Sequence, residues 1–132
     1  MGGVPPTPES RLIRTPSKNR PFTERLSFAW SGLKSAWQSE ASLRTHVVMA
    51  ALLLVVLLIL RPSPIWWAVG GLTAALVIAA ELINTALEHL ADHLHPEQHP
   101  RIKLVKDCAA AAVLVLSLAA LWLAAMMILS VV

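Results

Sequence analysis

The chain has 132 residues, of which 56% are hydrophobic and 14% are charged, and its formal net charge is +3 at pH 7. This length allows one domain. The hydrophobic content is too high for an ordinary soluble domain, and the clustering of the charges indicates an integral membrane protein. The charge does not indicate nucleic-acid binding, because the basic residues segregate by membrane side. A single cysteine, Cys108, excludes an internal disulfide.

The first part of the chain divides into two segments of different character. Residues 1–21 contain five prolines and predict a disordered, basic leader without the apolar segment of a signal peptide. Residues 22–38 predict an amphipathic helix that lies in the membrane interface, because large apolar residues recur there at helical spacing. The recurring residues are Phe22, Leu26, Trp30, Leu33 and Trp37. A helix packed on a soluble core is the alternative.

Three apolar stretches follow and predict three membrane-spanning helices, at about residues 40–60, 64–95 and 105–132. Prolines at 62 and 64 separate the first two spans, and Pro96 and Pro100 end the second. The predicted fold class is therefore an all-α membrane protein, with an N-terminal amphipathic surface helix and three transmembrane helices. We take residues 22–132 as one membrane domain.

The distribution of lysine and arginine predicts the orientation. Ten of these residues lie on the side of the N-terminus and of the second loop, and only Arg61 lies between spans one and two. The ten are Arg11, Arg14, Lys18, Arg20, Arg25, Lys34, Arg44, Arg101, Lys103 and Lys106. We therefore expect a multi-pass protein of the bacterial cytoplasmic (inner) membrane with its N-terminus in the cytoplasm.

A polar face at residues 81–92 carries most of the functional information. The segment E-L-I-N-T-A-L-E-H-L-A-D continues the apolar run 65–80. At 100° per residue, Glu81, Asn84, Glu88 and Asp92 fall within about 80° of one another on one helix face. Three acids and an amide in this position predict that something positive binds there. For Asp92 alone, a solvated helix extension is an equal alternative.

Helix rise places acids from different spans at one level. Glu81 lies about 26 Å along its helix from Pro64, and Glu40 lies about 30 Å from Leu60. The hydrocarbon core is about 30 Å thick, so both carboxylates reach the cytoplasmic boundary. Asp107 begins the third span at the same level. Glu40 could alternatively pair with Arg44, four residues later on the same helix.

This inventory suits phosphoryl transfer. Mg²⁺ takes oxygen ligands and is often held by one or two carboxylates together with substrate phosphates. Lys106 offers a charge for a phosphate, Asn84 can orient a hydroxyl, and a remaining glutamate can act as a general base. The chain has neither a Walker A motif nor a kinase glycine loop, so a nucleotide site must be of another type. A lipid hydroxyl is the natural acceptor at headgroup level.

Three blocks of sequence resemble one known family. They are W-S-G-L-K-S-A-W-Q-S-E-A-S-L-R at 30–44, the segment 81–92, and H-P-R-I-K-L-V-K-D-C-A-A-A-A-V-L-V at 99–115. In this order and spacing they resemble the prokaryotic diacylglycerol kinase family of small three-span lipid kinases, which also includes undecaprenol kinase. The resemblance covers roughly residues 22–132 and does not include the leader.

The resemblance implies roles for individual residues. Glu81 matches the catalytic base that takes the proton from the lipid hydroxyl, and Asn84 matches a neighbour of that base. We take Asn84 and Asp92 as supporting polar residues of the site. Glu40 and Glu88 match the carboxylates that hold Mg²⁺ on the nucleotide phosphates. The remaining nucleotide-binding positions are Glu97, Gln98, His99, Lys106 and Asp107.

The same resemblance implies ATP as cosubstrate, a membrane lipid as substrate and a homotrimer with sites shared between protomers. Diacylglycerol is the expected acceptor, and undecaprenol is the alternative, which R-x-H at Arg44 to His46 favours. The sequence departs from the family at Phe28, where some members have an aromatic hydroxyl. Arg25 is a candidate for the family's N-terminal arginine contact.

Other readings of these residues stay open. His89, His93, His95 and His99 could form a zinc site, although the chain has no HExxH motif. His46 is interpreted as a packed or polar-site residue rather than a ligand. Cys108 follows Asp107 at a helix start, but a catalytic thiol is not expected. An ion-conducting subunit without enzymatic activity is the alternative of another class, because intramembrane acids also mark cation paths.

Overall fold

Four α-helices make up the described part of the chain, residues 20–97 and 99–131, in a computed structural model. They are α1 (Phe22–Ser39), α2 (Ala41–Leu60), α3 (Pro64–Leu94) and α4 (Pro100–Val131). Within those residues there is no strand. The leader, predicted to be disordered, lies almost wholly outside the described residues. The predicted fold class, a surface helix followed by three long apolar helices, is confirmed.

The helices begin and end where the sequence chemistry dictates. Arg61 closes α2 in the left-handed region at φ 46°, and its N–H binds the carbonyl of Leu57 at 2.9 Å. Pro64 is the first residue of α3, where its fixed φ suits a helix start and no amide hydrogen is needed. Pro100 begins α4 for the same reason. This helix therefore starts before the expected position near residue 105, because proline favours a first helical turn as well as ending a previous helix.

The chain divides into two units, Met1–Leu33 and Lys34–Val132. In the described part of the first unit, Arg20 pairs with Glu24 at 2.6 Å, and its guanidinium lies 5.3 Å from the centroid of the Phe28 ring. These contacts place a cation against the aromatic ring at position 28. The apolar side chains Phe22, Leu26 and Trp30 are exposed, as expected of a helix that meets lipid.

In the second unit, α3 packs against both α2 and α4. Leu43 and Leu57 of α2, Val77 of α3 and Met127 of α4 are buried. Gly70 of α3 faces α2, since a Cβ atom there would lie in ordinary contact with Leu53, at 3.5 Å. Close approach at small residues is typical of helix packing in membranes.

Helices α2, α3 and α4 are each long and apolar enough to cross a membrane. Most of their large apolar side chains are exposed in the single chain, which is the surface expected against acyl chains or against further copies. At 1.5 Å per residue, α3 is about 46 Å long and exceeds the hydrocarbon core of about 30 Å. Its polar C-terminal part, from Glu81 onward, therefore reaches the membrane boundary when Pro64 lies at the opposite one.

Candidate active site

Glu81 is a buried carboxylate on α3, with 3% of its surface exposed. Its two oxygens contact two residues of α2. Ser42 Oγ donates a hydrogen bond to Oε2 at 3.1 Å, and His46 Nε2 lies 3.0 Å from Oε1. A buried carboxylate is strongly destabilising unless polar partners surround it. Helix α2 therefore provides the partners that allow Glu81 to occupy its position.

Asn84 and Glu88 lie on the same face of α3, one and two turns after Glu81. Asn84 donates from Nδ2 to Glu88 Oε1 at 2.9 Å. The Oδ1 atom of Asn84 and the hydroxyl of Thr85 are buried and have no hydrogen-bond partner among the described residues. Buried polar atoms are satisfied in most folded proteins. An orphaned carbonyl oxygen beside a carboxylate is therefore a candidate position for a ligand.

Glu40 is the residue between α1 and α2, and it approaches α3 at His89. His89 Nε2 lies 3.7 Å from Glu40 Oε1. The alternative partner, Arg44, instead donates to the carbonyl oxygens of Trp37 and Gln38, at 2.8 and 3.4 Å. The Glu40 carboxylate therefore lies beside the polar turn of α3 rather than being held by the basic side chain of its own helix.

Three of the predicted nucleotide-binding residues, Glu97, His99 and Lys106, lie at the junction of α3 and α4. A cavity of about 550 Å³ is lined there by Asp92, Glu97, His99 and Lys106, among others. Gln98, the remaining predicted loop residue, lies outside the described residues. Lys106 pairs with Asp92 across the junction, whereas Asp107 pairs with Lys103 of its own helix. Lys106 and Asp107, expected to act as a pair, thus have different partners in the single chain.

The oxygen donors of this region fit Mg²⁺ by chemistry. Glu40 and Glu88 contribute carboxylates, and the orphaned Asn84 Oδ1 is a further hard donor. Among residues 20–97 and 99–131, however, no three histidine, cysteine, aspartate or glutamate side chains lie close enough to hold a metal ion. The remaining positions in a Mg²⁺ shell are those that waters and nucleotide phosphates ordinarily fill.

The comparison with known proteins decides the family. A model of the family described as "Prokaryotic diacylglycerol kinase" matches residues 27–129. The chain belongs to the prokaryotic diacylglycerol kinase family. The prediction made from the three sequence blocks is therefore confirmed, and with it the enzyme class, a lipid kinase.

Curated relatives within this family carry two names. A diacylglycerol kinase of Synechocystis sp. is 36% identical over 94 residues, which are 70% of this chain and 54% of that protein. The chain thus matches about half the length of that relative. A diacylglycerol kinase of Escherichia coli is 32% identical over 67% of this chain and 72% of its own length. An undecaprenol kinase of Bacillus subtilis is 31% identical over 71% of this chain and 76% of its own length.

Sequence reasoning missed two residues of the candidate site. Ser42 was not singled out, and His46 was assigned only a general packed or polar role. Both contact Glu81, and they are four residues apart on one face of α2. That spacing, within the six residues after Glu40, was the available signal. The pairing of Asp92 with Lys106 was also not expected.

Proposed function

We propose that this protein transfers the γ-phosphoryl group of ATP to the hydroxyl of a membrane lipid, with diacylglycerol as acceptor and phosphatidic acid as product. The observation that carries the proposal is the buried carboxylate of Glu81, held by α2 at the end of a long apolar helix. Family membership supports the reaction class. The names of the Synechocystis and Escherichia coli relatives support diacylglycerol as the lipid.

In this proposal Glu81 is the general base. The lipid hydroxyl gives its proton to the carboxylate while its oxygen forms a bond to the γ-phosphorus, and the bond from that phosphorus to the ADP oxygen breaks. The phosphoryl group passes directly to the acceptor, without a phosphoenzyme intermediate, because the acceptor hydroxyl lies against the base. Such transfers depend mainly on positioning and on neutralising phosphate charge.

Residues around Glu81 supply the other requirements. Glu40 and Glu88, with Asn84 near them, would hold Mg²⁺, which when bound neutralises charge on the nucleotide phosphates. Lys106 and the residues lining the cavity at the junction of α3 and α4 would bind the phosphates and the nucleotide. Lys106 would contribute a positive charge for the phosphates.

The assembly and orientation complete the proposal. The N-terminus and the α3–α4 junction face the cytoplasm, where ATP is present, as the bias of basic residues supports. The protein works as a homotrimer with sites shared between protomers. The exposed apolar surfaces of α2, α3 and α4 support further association within the membrane.

Undecaprenol is the second candidate acceptor. The Bacillus subtilis relative named undecaprenol kinase supports it at nearly the same identity as the Escherichia coli enzyme. Both acceptors present one hydroxyl at the membrane boundary, so the same base and the same transfer step serve either of them.

The experiment that tests the function uses the purified full chain in mixed micelles with radiolabelled ATP and Mg²⁺. Dioleoylglycerol and undecaprenol are compared as acceptors at matched mole fractions. The proposal predicts kcat/KM at least about tenfold higher for dioleoylglycerol, a discrimination of about 1.4 kcal/mol. The opposite preference would assign the protein to undecaprenol, and phosphorylation of neither lipid would contradict kinase activity.

A further inference from the structure

Ser42 and His46 of α2 both contact the same carboxylate of α3. They are four residues apart and so lie on one helix face, and each contacts a different oxygen of Glu81, Oε2 at 3.1 Å and Oε1 at 3.0 Å. One partner would leave the carboxylate free to turn about its last side-chain bond. Two partners, one on each oxygen, fix its plane.

The Glu81 carboxylate has more acceptor positions than its two partners on α2 occupy. An ionised carboxylate has about four acceptor positions, two on each oxygen. Ser42 and His46 occupy one on each, which leaves a second acceptor position on each oxygen without a partner from these two residues. An ionised carboxylate cannot donate, so the imidazole in this contact offers Nε2–H.

His46 also borders an apolar cavity. It lines an apolar cavity of about 340 Å³ between α2, α3 and α4, together with Met49, Ala50 and Val77. Ser117 contributes a hydroxyl to the same lining, and this hydroxyl donates to the carbonyl of Val113 on its own helix. The imidazole of His46 therefore differs from Ser117, because its polar contact is with another helix. It borders the apolar cavity and also contacts the Glu81 carboxylate.

We infer that His46, assisted by Ser42, is a positioning residue that holds the Glu81 carboxylate in the orientation needed to accept the lipid proton. This inference rests on the proposed role of Glu81 as the base. It assigns His46 no contact with substrate. Its effect is expected in kcat rather than in binding, because a correctly oriented base matters at the proton transfer.

The test replaces His46 in two ways in the full chain. His46→Leu removes the donor, and His46→Gln keeps an N–H group at similar reach. We expect kcat about 10- to 100-fold lower for His46→Leu, with KM for ATP and for lipid changed less than about twofold. We expect His46→Gln to recover to within about threefold of the unchanged protein. His93→Leu, an exposed histidine on α3, is the matched control.

A double-substitution cycle separates positioning from a merely structural role. In a Glu81→Gln background, His46→Leu should alter the residual rate by less than about twofold, because residues acting as one unit are not additive. If His46→Leu lowered the rate by the same factor in the unchanged protein and in the Glu81→Gln background, the inference would be overturned. It would also be overturned if His46→Leu left kcat unchanged, or if His46→Gln had a kcat no higher than that of His46→Leu. Full activity of Glu81→Gln would instead remove Glu81 as the base, and phosphorylation of neither lipid by the unchanged protein would contradict the proposed function itself.

Discussion

Lys106 of α4 pairs with Asp92 of α3 across the junction between the two helices. Asp92 is largely exposed, and an exposed ion pair of this kind contributes at most about 1 kcal/mol. The pair is therefore easily broken. The Lys106 ammonium can leave Asp92 for a phosphate group that enters the adjoining cavity.

Replacement of Lys106 by methionine should raise KM for ATP by at least about tenfold, because a charge-assisted contact to phosphate is lost. Asp92→Asn should change KM for ATP by less than about threefold, since it only frees the ammonium. Lys34→Met, on α1, is the matched control for loss of an exposed lysine. An unchanged KM for ATP in Lys106→Met would remove Lys106 from the nucleotide site.

Replacement of Glu88 or Glu40 by glutamine should weaken divalent-ion binding. The readout is the EPR signal of Mn²⁺ titrated into the full chain with a non-hydrolysable ATP analogue. We expect Mn²⁺ affinity to fall by at least about tenfold. Removal of a residue that only hydrogen-bonds to a metal ligand already lowers metal affinity by about that factor, and loss of a ligand should cost at least as much. Glu24→Gln, which alters a carboxylate on α1, should leave the titration unchanged. Equal affinities in all variants would separate both glutamates from the metal.

The packing of α2 predicts a contrast between two leucines. Leu43 is fully buried, whereas half of the Leu54 surface is exposed. Leu43→Ala should lower the free energy of unfolding by about 1–3 kcal/mol, because it leaves a cavity in the packed interface between helices. The hydrophobic transfer contribution is small, since the unfolded helix is surrounded by acyl chains. Leu54→Ala should change it by less than about 0.5 kcal/mol. Unfolding in mixed micelles measures both, and equal losses would contradict this packing.

The orientation is tested by labelling single cysteines in a Cys108→Ser background. Ser63→Cys lies in the α2–α3 connection, and Ser27→Cys lies on α1. A membrane-impermeant maleimide added to intact spheroplasts should label the first and not the second, because the basic residues keep the N-terminal side in the cytoplasm. Permeabilised cells serve as the control for reactivity. The reverse pattern of labelling would contradict the proposed topology.

The helices of this protein could be predicted from the sequence because each depends on local information. Unbroken apolar runs, the prolines at 64 and 100, and the spacing of acids along α3 determine the elements and the polar face without reference to distant residues. The start of α4 differed from expectation because proline both ends a helix and begins one.

The contacts between helices could not be predicted in the same way. Whether Ser42 and His46 face Glu81 depends on the rotation of α2 about its axis relative to α3, and the apolar period of α2 is too uniform to fix that rotation. Lys106 likewise has no carboxylate three or four residues away on its own helix, so local spacing does not identify its partner. Only the packed structure selects Asp92 for it.

The most direct test of the account is the rate of lipid phosphorylation by Glu81→Gln. The glutamine keeps the shape of the side chain and can still contact α2, but it cannot take a proton. We predict kcat at least about 100-fold lower for either lipid, with ATP affinity and helical content unchanged. Phosphorylation within about tenfold of the unchanged protein would show that the buried carboxylate is not the base.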